Sequence, residues 1–113
     1  MSMWARLKSG AGGQKPPTVT AATAIEIDES HNSFYVDGTS TVTTINATKP
    51  ILEGREVTFY STAGTPVFGN TDSTSTKGEL DLGGSDITLD ATDFLVVKQM
   101  SNGTWVRKYA TSN

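Results

Sequence analysis

The sequence predicts an all-β chain, a small antiparallel sandwich or barrel-like domain that follows an extended N-terminal arm. Threonine and glycine are abundant, with 18 and 11 copies in 113 residues, and these residue types favour pleated strands and the turns between them. Turn signals recur about every eight to twelve residues. No stretch has the periodicity of a helix of three turns. We therefore expect an arm over residues 1–17 and an all-β body over residues 18–113.

The arm is rich in glycine and proline, which interrupt helices. It is basic, and no acid occurs in the first 25 residues. Trp4 and Leu7 are three residues apart, so a single turn would present both on one side. We expect the arm to dock on a partner with Trp4 as its anchor, and a disordered terminus is the alternative. The predicted contact residues are Trp4, Arg6, Leu7, Lys8 and Lys15.

The first half of the body contains four candidate strands, over residues 24–28, 34–36, 41–46 and 56–60. Ile25 and Ile27 alternate with polar residues, as in a strand buried on one face. Val42 and Ile45 are three residues apart, which predicts a bulge or a bend. A short extended piece over residues 65–68 follows.

The second half begins with residues 69–78, which contain no large apolar side chain and are predicted to form an exposed loop. Residues 79–89 then place apolar side chains on both sides of Gly83-Gly84. This pattern predicts a tight β-arch or hairpin with its leucines and isoleucine inward. The inward residues are Leu80, Leu82, Ile87 and Leu89.

Residues 94–109 form the clearest hairpin signal, because Asn102-Gly103 suits the centre of a type I′ turn. That turn would place Met100 opposite Trp105, Lys98 opposite Arg107, and Val96 opposite Tyr109. Since both faces carry apolar residues, we expect one face to pack against a neighbouring subunit. The predicted interface consists of Val96, Lys98, Met100, Trp105, Arg107 and Tyr109. The opposed cations require nearby acids such as Asp81, Asp86 or Asp93.

Composition limits the classes of function. The chain has no cysteine, which excludes disulfides and thiol catalysis. It has no run of roughly 18 apolar residues and no apolar signal segment, so we expect assembly in a cytoplasm without membrane binding. Residues 26–113 carry six basic and twelve acidic side chains, a balance that disfavours nucleic acid. The apolar fraction of 35% gives a thin core, which favours a homo-oligomer.

No group of residues predicts catalysis. His31 is the only histidine and lies in a polar turn, where a solvated role is typical. The carboxylates of Asp81 and Asp86 flank Gly83-Gly84 and suit turn chemistry better than a calcium loop. Glu79 and Asp81 would share a strand face, but paired carboxylates need a substrate cleft to act. We expect no enzyme, no cofactor, no metal and no small-molecule substrate.

A series of motifs in residues 39–109 resembles a β module of tailed-bacteriophage virion proteins. The module runs from a threonine-rich strand through a glycine-led strand and a Leu-x-Gly-Gly turn to a Gly-x-Trp near its end. The corresponding runs here are residues 41–47, 53–61, 80–89, 93–97 and 102–107. The resemblance implies a homotrimer and no catalytic residues.

Within that family, a module that follows only a short arm resembles a capsid decoration, or cement, protein. The resemblance implies a trimer that binds the major capsid protein on the outer surface of a phage head and stabilises the shell. We expect the arm, residues 1–17, to lie on the major capsid protein. The protein would then be located in the virion. The alternative is a receptor- or glycan-binding module of a tail or head fibre. Its binding surface would combine residues 69–78 with Tyr35 and Tyr60.

Overall fold

A computed structural model of the chain describes residues 15–47, 50–72 and 74–111. These residues form eleven strands and no helix, and therefore no helix that could cross a membrane, which confirms the all-β prediction. The strands are β1 (Thr18–Thr20), β2 (Ala24–Ile27), β3 (Ser33–Asp37), β4 (Thr41–Val42), β5 (Thr44–Ala47), β6 (Glu56–Ala63), β7 (Val67–Phe68), β8 (Leu80–Asp81), β9 (Ile87–Thr88), β10 (Phe94–Gln99) and β11 (Trp105–Ala110).

The strands form three sheets that the chain visits in turn. The large sheet has the order β1-β3-β6-β10-β11-β8, the three-stranded sheet β4-β7-β9 and the two-stranded sheet β2-β5. From β3 the chain passes through β4 to β5, and from β6 it passes through β7 to Glu79, which forms an isolated bridge with Thr44, the first residue of β5. Successive coils pair Ser33 with Thr58 and Thr41 with Val67, so one coil takes about 25 residues.

The coiled path corrects the predicted antiparallel arrangement. Among the described residues, five of the eight strand pairings are parallel, namely β1–β3, β3–β6, β4–β7, β2–β5 and β8–β11. Only β6–β10, β10–β11 and β7–β9 are antiparallel. Parallel neighbours need a long connection, and here the strands of the other two sheets supply it. The sequence pattern of alternating strands separated by glycine turns is the same in a series of hairpins and in a coil. The pattern alone therefore does not distinguish antiparallel from parallel neighbours.

The prediction for residues 79–89 was correct in its arch form. β8 pairs with β11 in the large sheet, whereas β9 pairs with β7 in the three-stranded sheet. The strands on either side of the turn thus lie in different sheets. Gly83 and Gly84 both have positive φ, at 88° and 107°, a conformation that glycine adopts at little cost.

The core lies between the three sheets. Phe34 of β3 stacks on Phe59 of β6, with ring centroids 5.9 Å apart, and Phe59 in turn contacts Phe68 of β7 at 5.2 Å. Trp105 is fully buried, and its Nε1 donates a hydrogen bond of 3.1 Å to the Ile45 carbonyl of β5. This bond ties the large sheet to the two-stranded one. The predicted inward residues Ile25, Ile27, Leu80, Leu82 and Leu89 are buried, and Ile87 is half-buried.

The turn at Asn102-Gly103 is not the predicted type I′ turn. Gly103 has a φ of 86°, whereas Thr92 is the one non-glycine residue with positive φ in the described part of the chain, so Asn102 has a negative φ. The Gly103 amide donates to the Met100 carbonyl at 2.9 Å, and the Met100 amide donates to the Thr104 carbonyl at 2.8 Å. This pattern is that of a three-residue loop closed by a glycine bulge.

The longer loop shifts the hairpin register by one residue. Gln99 now pairs with Trp105, Lys98 with Val106 and Val97 with Arg107, so the predicted Lys98–Arg107 and Met100–Trp105 pairs are wrong. A second irregularity next to Val96 restores the predicted pair of Val96 and Tyr109. A one-residue slip moves a side chain to the opposite sheet face, which explains why Trp105 lies in the core.

The turn over residues 90–93 contains the strained backbone of the fold. Thr92 has a φ of 75°, a conformation that is unfavourable for a β-branched residue. The buried Asp93 carboxylate stabilises the turn by accepting hydrogen bonds from the Asp90 amide at 3.0 Å and the Thr111 hydroxyl at 3.3 Å.

Replacing Thr92 with asparagine should therefore stabilise the protein. Asparagine tolerates positive φ, and strain of this kind costs about 1–3 kcal/mol, so we expect Thr92→Asn to raise the free energy of unfolding by about 1 kcal/mol. Urea denaturation measures the change. The control Thr20→Asn, at an exposed position in β1, should be neutral or slightly destabilising. An equal gain from both variants would contradict the explanation.

Candidate functional site

Four aromatic rings form a continuous row on the outer face of the large sheet. Tyr35 of β3, Tyr60 of β6, Phe94 of β10 and Tyr109 of β11 lie on four neighbouring strands. The distances between successive ring centroids are 6.1, 5.8 and 5.6 Å. These four residues are called the aromatic row below. Such spacing is favourable for aromatic pairs.

The coils of the chain position the row. In β3, Phe34 and Val36 point into the core and Tyr35 points outward, since strand side chains alternate. β6 repeats this pattern one coil later, with Phe59 inward and Tyr60 outward. The register pairs Phe34 with Phe59 and Tyr35 with Tyr60. The buried phenylalanine stack thus fixes the alignment of the two exposed tyrosines.

The row has the exposure and the borders of an interaction surface. Tyr60 is 36% exposed and Tyr109 55% exposed, while Tyr35 and Phe94 are half-buried. Towards the hairpin turn the same sheet becomes charged, with the Lys108 Nζ 2.6 Å from the Glu56 Oε2. An apolar patch with a polar rim is typical of a protein interface.

The structure separates the six residues predicted as an oligomer interface. Val96, Lys98 and Tyr109 lie on the outer face of the large sheet, and Met100 is half-buried at the hairpin turn. Arg107 lies beside a cleft at the far edge of that sheet. Trp105 has no exposed surface in the single chain. It therefore belongs to the core and not to an interface, which corrects the prediction.

Acids were expected beside the hairpin cations at Asp81, Asp86 or Asp93. The acid that fills this role on the outer face is Glu56, which pairs with Lys98 in the β6–β10 register and with Lys108 through its carboxylate. Asp93 is buried in its own turn, and Asp81 caps the Gly83 amide at 3.1 Å.

The arm is described only at its end. Trp4, Arg6, Leu7 and Lys8 lie outside the described residues. Lys15 is exposed, and the Pro17 carbonyl accepts a hydrogen bond of 2.8 Å from the Tyr35 amide. The chain therefore joins the body at Pro17, along the β1 edge of the large sheet.

The surface expected for the alternative function is not continuous. The loop of residues 69–78 lies next to the hairpin turn, since the Gly78 amide donates to the Gly103 carbonyl at 3.0 Å. Tyr35 and Tyr60 lie level with Phe94, the first residue of β10, whereas the hairpin turn follows Gln99, the last residue of that strand. At about 3.3 Å per residue, the two ends of β10 are roughly 16 Å apart. The loop is also only partly exposed, because Gly69 and Gly78 are buried.

Asp28 and His31 have a structural role in the turn that contains them. The Arg55 guanidinium donates to the carbonyls of Asp28 and His31 at 2.6 and 2.8 Å and holds the turn to β6. The Asp28 carboxylate lies 3.1 Å from the His31 Nδ1 and accepts from the Ser30 amide at 3.0 Å. The hydrogen bond from His31 is the main reason that the pKa of Asp28 lies below its usual value.

The acids Glu79 and Asp81 stabilise loops. The Glu79 carboxylate accepts hydrogen bonds from the amides of Thr76 and Ser75, both at 2.9 Å, and these bonds lower the pKa of Glu79. Asp81 caps the Gly-Gly turn as described above. Within residues 15–47, 50–72 and 74–111, no three His, Asp or Glu side chains are close enough together to hold a metal ion.

Acid should weaken the turn at Asp28. In the folded protein, the pKa of Asp28 is lowered from its usual value of 3.8. The stability that ionised Asp28 contributes is therefore complete well above pH 3.8 and disappears as the pH falls through the lowered pKa. We expect Asp28→Asn to lower the melting temperature at neutral pH but to reduce the further loss below about pH 4. Thermal melts across the pH range measure both effects. Parallel curves for the two proteins would contradict the assignment.

Comparisons with protein-family models and with curated proteins found no match to this chain.

Proposed function

We propose that the protein is a structural virion protein, a capsid decoration or cement protein that binds the outer surface of a phage head as a homotrimer. In this role it contacts the major capsid protein and stabilises the shell. The observation that supports the proposal is the aromatic row, an exposed and ordered apolar surface on a small domain. It is consistent with the trimeric phage module that the sequence resembles.

The exposed aromatic row favours self-association of the chain. A thin coil with a 35% apolar sequence buries limited area within one chain, and small domains of this kind gain stability by association. Aromatic residues are enriched at protein interfaces and provide much of their energy. Three rows packed around a common axis would remove Tyr60 and Tyr109 from water and leave the charged end of the sheet free for the shell.

The same row favours one alternative, a receptor- or glycan-binding module. Tyr35 and Tyr60 present neighbouring rings on a sheet face, and such rings also form stacking platforms for ligands with apolar faces. In this case the row stays accessible in the assembled protein. The two functions therefore differ in whether the row is buried between subunits.

Sedimentation and shell binding test the proposal together. We expect the purified protein to sediment as a trimer at micromolar concentration. We also expect it to bind phage shells that lack decoration, and cryo-electron microscopy should show threefold densities on their outer surface. Decorated shells should melt at a higher temperature than bare ones. A monomer that leaves shells bare would reject the proposal, and glycan-array binding lost in Tyr60→Ser would favour the alternative.

A further inference from the structure

The hairpin turn contains a dipeptide with a chemistry of its own, Asn102-Gly103. Asparagine is a thermolabile residue, and it deamidates when the nitrogen of the following backbone amide attacks its side-chain carbonyl carbon. Glycine in the following position favours the attack, because it has no Cβ to obstruct the ring and adopts conformations that are closed to other residues. Elsewhere in the sequence, asparagine precedes serine, alanine or threonine, at Asn32, Asn46 and Asn70.

The reaction begins when the Gly103 amide loses its proton to a base. The deprotonated nitrogen forms a bond to the Asn102 Cγ, and the side-chain nitrogen leaves as ammonia after taking a proton from water, so that a cyclic imide remains. Water then adds to one of the two imide carbonyl carbons. Addition at Cγ gives aspartate in a normal backbone, and addition at the main-chain carbon gives isoaspartate, whose backbone runs through Cβ and Cγ. No atom is oxidised or reduced in these steps.

The folded turn holds both reacting groups. The Gly103 amide donates its proton to the Met100 carbonyl at 2.9 Å, and Gly103 is buried. The Asn102 Oδ1 accepts hydrogen bonds from the Thr104 amide at 3.1 Å and from the Thr104 hydroxyl at 2.7 Å. A hydrogen-bonded amide proton is released only when the bond opens, which is the event that hydrogen exchange reports. Deamidation therefore requires a local opening of the turn.

We propose that Asn102 is a site of spontaneous deamidation and that its contacts with Thr104 restrain the reaction in the folded protein. Thr104 is only 2% exposed, so its hydroxyl is held against the Asn102 side chain by the surrounding structure. Thr104 is thus a positioning residue, and the reacting atoms belong to Asn102 and Gly103. The inference depends on the fold of one chain and not on the homotrimer of the proposed function.

The turn has no room for the isoaspartate product. A Cβ on Gly103 would lie 2.8 Å from the Lys77 Cγ and 3.0 Å from the Ile51 Cδ1, and the Gly103 carbonyl accepts a hydrogen bond of 3.0 Å from the Gly78 amide. Isoaspartate adds one atom to this enclosed backbone. The loop length sets the hairpin register, and the register places Trp105 in the core. We therefore expect the isoaspartate form to be less stable than the original protein.

Mass spectrometry of the ageing full-length protein tests the proposal. Folded protein and protein unfolded in concentrated urea are incubated at the same mildly alkaline pH, and deamidation is measured in the peptide between Lys98 and Arg107. We expect the folded protein to react about a hundredfold more slowly, since three hydrogen bonds worth about 1 kcal/mol each hold the reacting groups. Thr104→Val keeps the size of the side chain but removes the hydroxyl. It should raise the rate in the folded protein about fivefold, the factor that corresponds to one such bond.

Two variants serve as controls. Thr62→Val makes the same change in β6, where the hydroxyl donates to the Val36 carbonyl at 3.3 Å, and it should leave the rate at Asn102 unchanged. Asn102→Asp reproduces the product with a normal backbone, and its carboxylate can accept the same hydrogen bonds from Thr104. We expect Asn102→Asp to melt near the wild-type temperature and the isoaspartate form, isolated from the aged sample, to melt lower.

Each outcome decides the inference. Faster deamidation in Thr104→Val than in the wild type and in Thr62→Val supports it. Equal acceleration by Thr62→Val shows that the reaction proceeds through global unfolding and overturns the role of the turn. Equal rates in folded and unfolded wild-type protein overturn it as well, and this comparison decides alone if Thr104→Val does not fold. If the unfolded chain deamidates no faster at Asn102 than at Asn32 or Asn70, the assignment of the site is wrong.

Discussion

Trp105→Ala should be the most destabilising single substitution in the body. The side chain is fully buried and its Nε1 donates to the Ile45 carbonyl, so the change leaves both a cavity and an unsatisfied carbonyl. Truncation of a buried tryptophan costs about 3–5 kcal/mol, and the lost hydrogen bond leaves a polar group without its partner. For a small domain this is a large share of total stability. We expect the variant to be mostly unfolded in mild urea.

Trp105→Phe separates the two contributions. Phenylalanine retains most of the apolar volume but cannot donate to Ile45, so we expect a smaller loss, about 2 kcal/mol. Urea denaturation followed by far-UV circular dichroism measures both variants. If Trp105→Ala keeps wild-type stability but lowers the sedimentation coefficient, the residue acts at an interface and the core assignment is wrong.

The burial pattern within strands could be predicted from the sequence. Ile25 and Ile27 alternate with polar residues and are buried as expected. The same holds for the leucines on either side of Gly83-Gly84. In these segments, local alternation and burial agree, because each strand has one face on the core.

The parallel coil could not be predicted in the same way, because pairing between coils depends on residues about 25 positions apart. One signal for it does exist in the sequence. Phe34-Tyr35 recurs as Phe59-Tyr60, and the structure pairs the two dipeptides residue for residue. Each dipeptide read alone only indicates a strand. Their spacing predicts stacked coils and, with them, half of the aromatic row.

The candidate site was only partly foreseen for a related reason. Asn102-Gly103 marks the hairpin correctly, but the turn type is set by one φ value, and the three-residue loop changed the register. Trp105 consequently moved from the predicted interface to the core. Tyr109 and Val96 kept their pairing through a bulge. A register error of one residue is therefore enough to exchange core and surface residues.

In the proposed homotrimer, the aromatic row should control assembly. We expect the double variant Tyr60→Ser/Tyr109→Ser to raise the dissociation constant for the loss of one subunit from the trimer about a thousandfold, since two interface tyrosines worth about 2 kcal/mol each correspond to that factor. Both side chains are substantially exposed, at 36% and 55%. The stability of the monomer should therefore change by about 1 kcal/mol or less. Sedimentation equilibrium and urea denaturation measure the two quantities separately.

A matched control is available at the opposite end of the large sheet. Ile51 and Leu52 are 37% and 56% exposed, nearly the same as the two tyrosines, but they lie beside the hairpin turn, where Leu52 donates its amide to the Gln99 side chain. Ile51→Ser/Leu52→Ser removes comparable apolar surface without touching the row, so its trimer should dissociate as the wild type does. If this control dissociates and the tyrosine variant remains a trimer, the interface lies at the hairpin end of the sheet and not on the row. Loss of the trimer in the tyrosine variant alone places the interface on the row, because both variants remove comparably exposed apolar side chains.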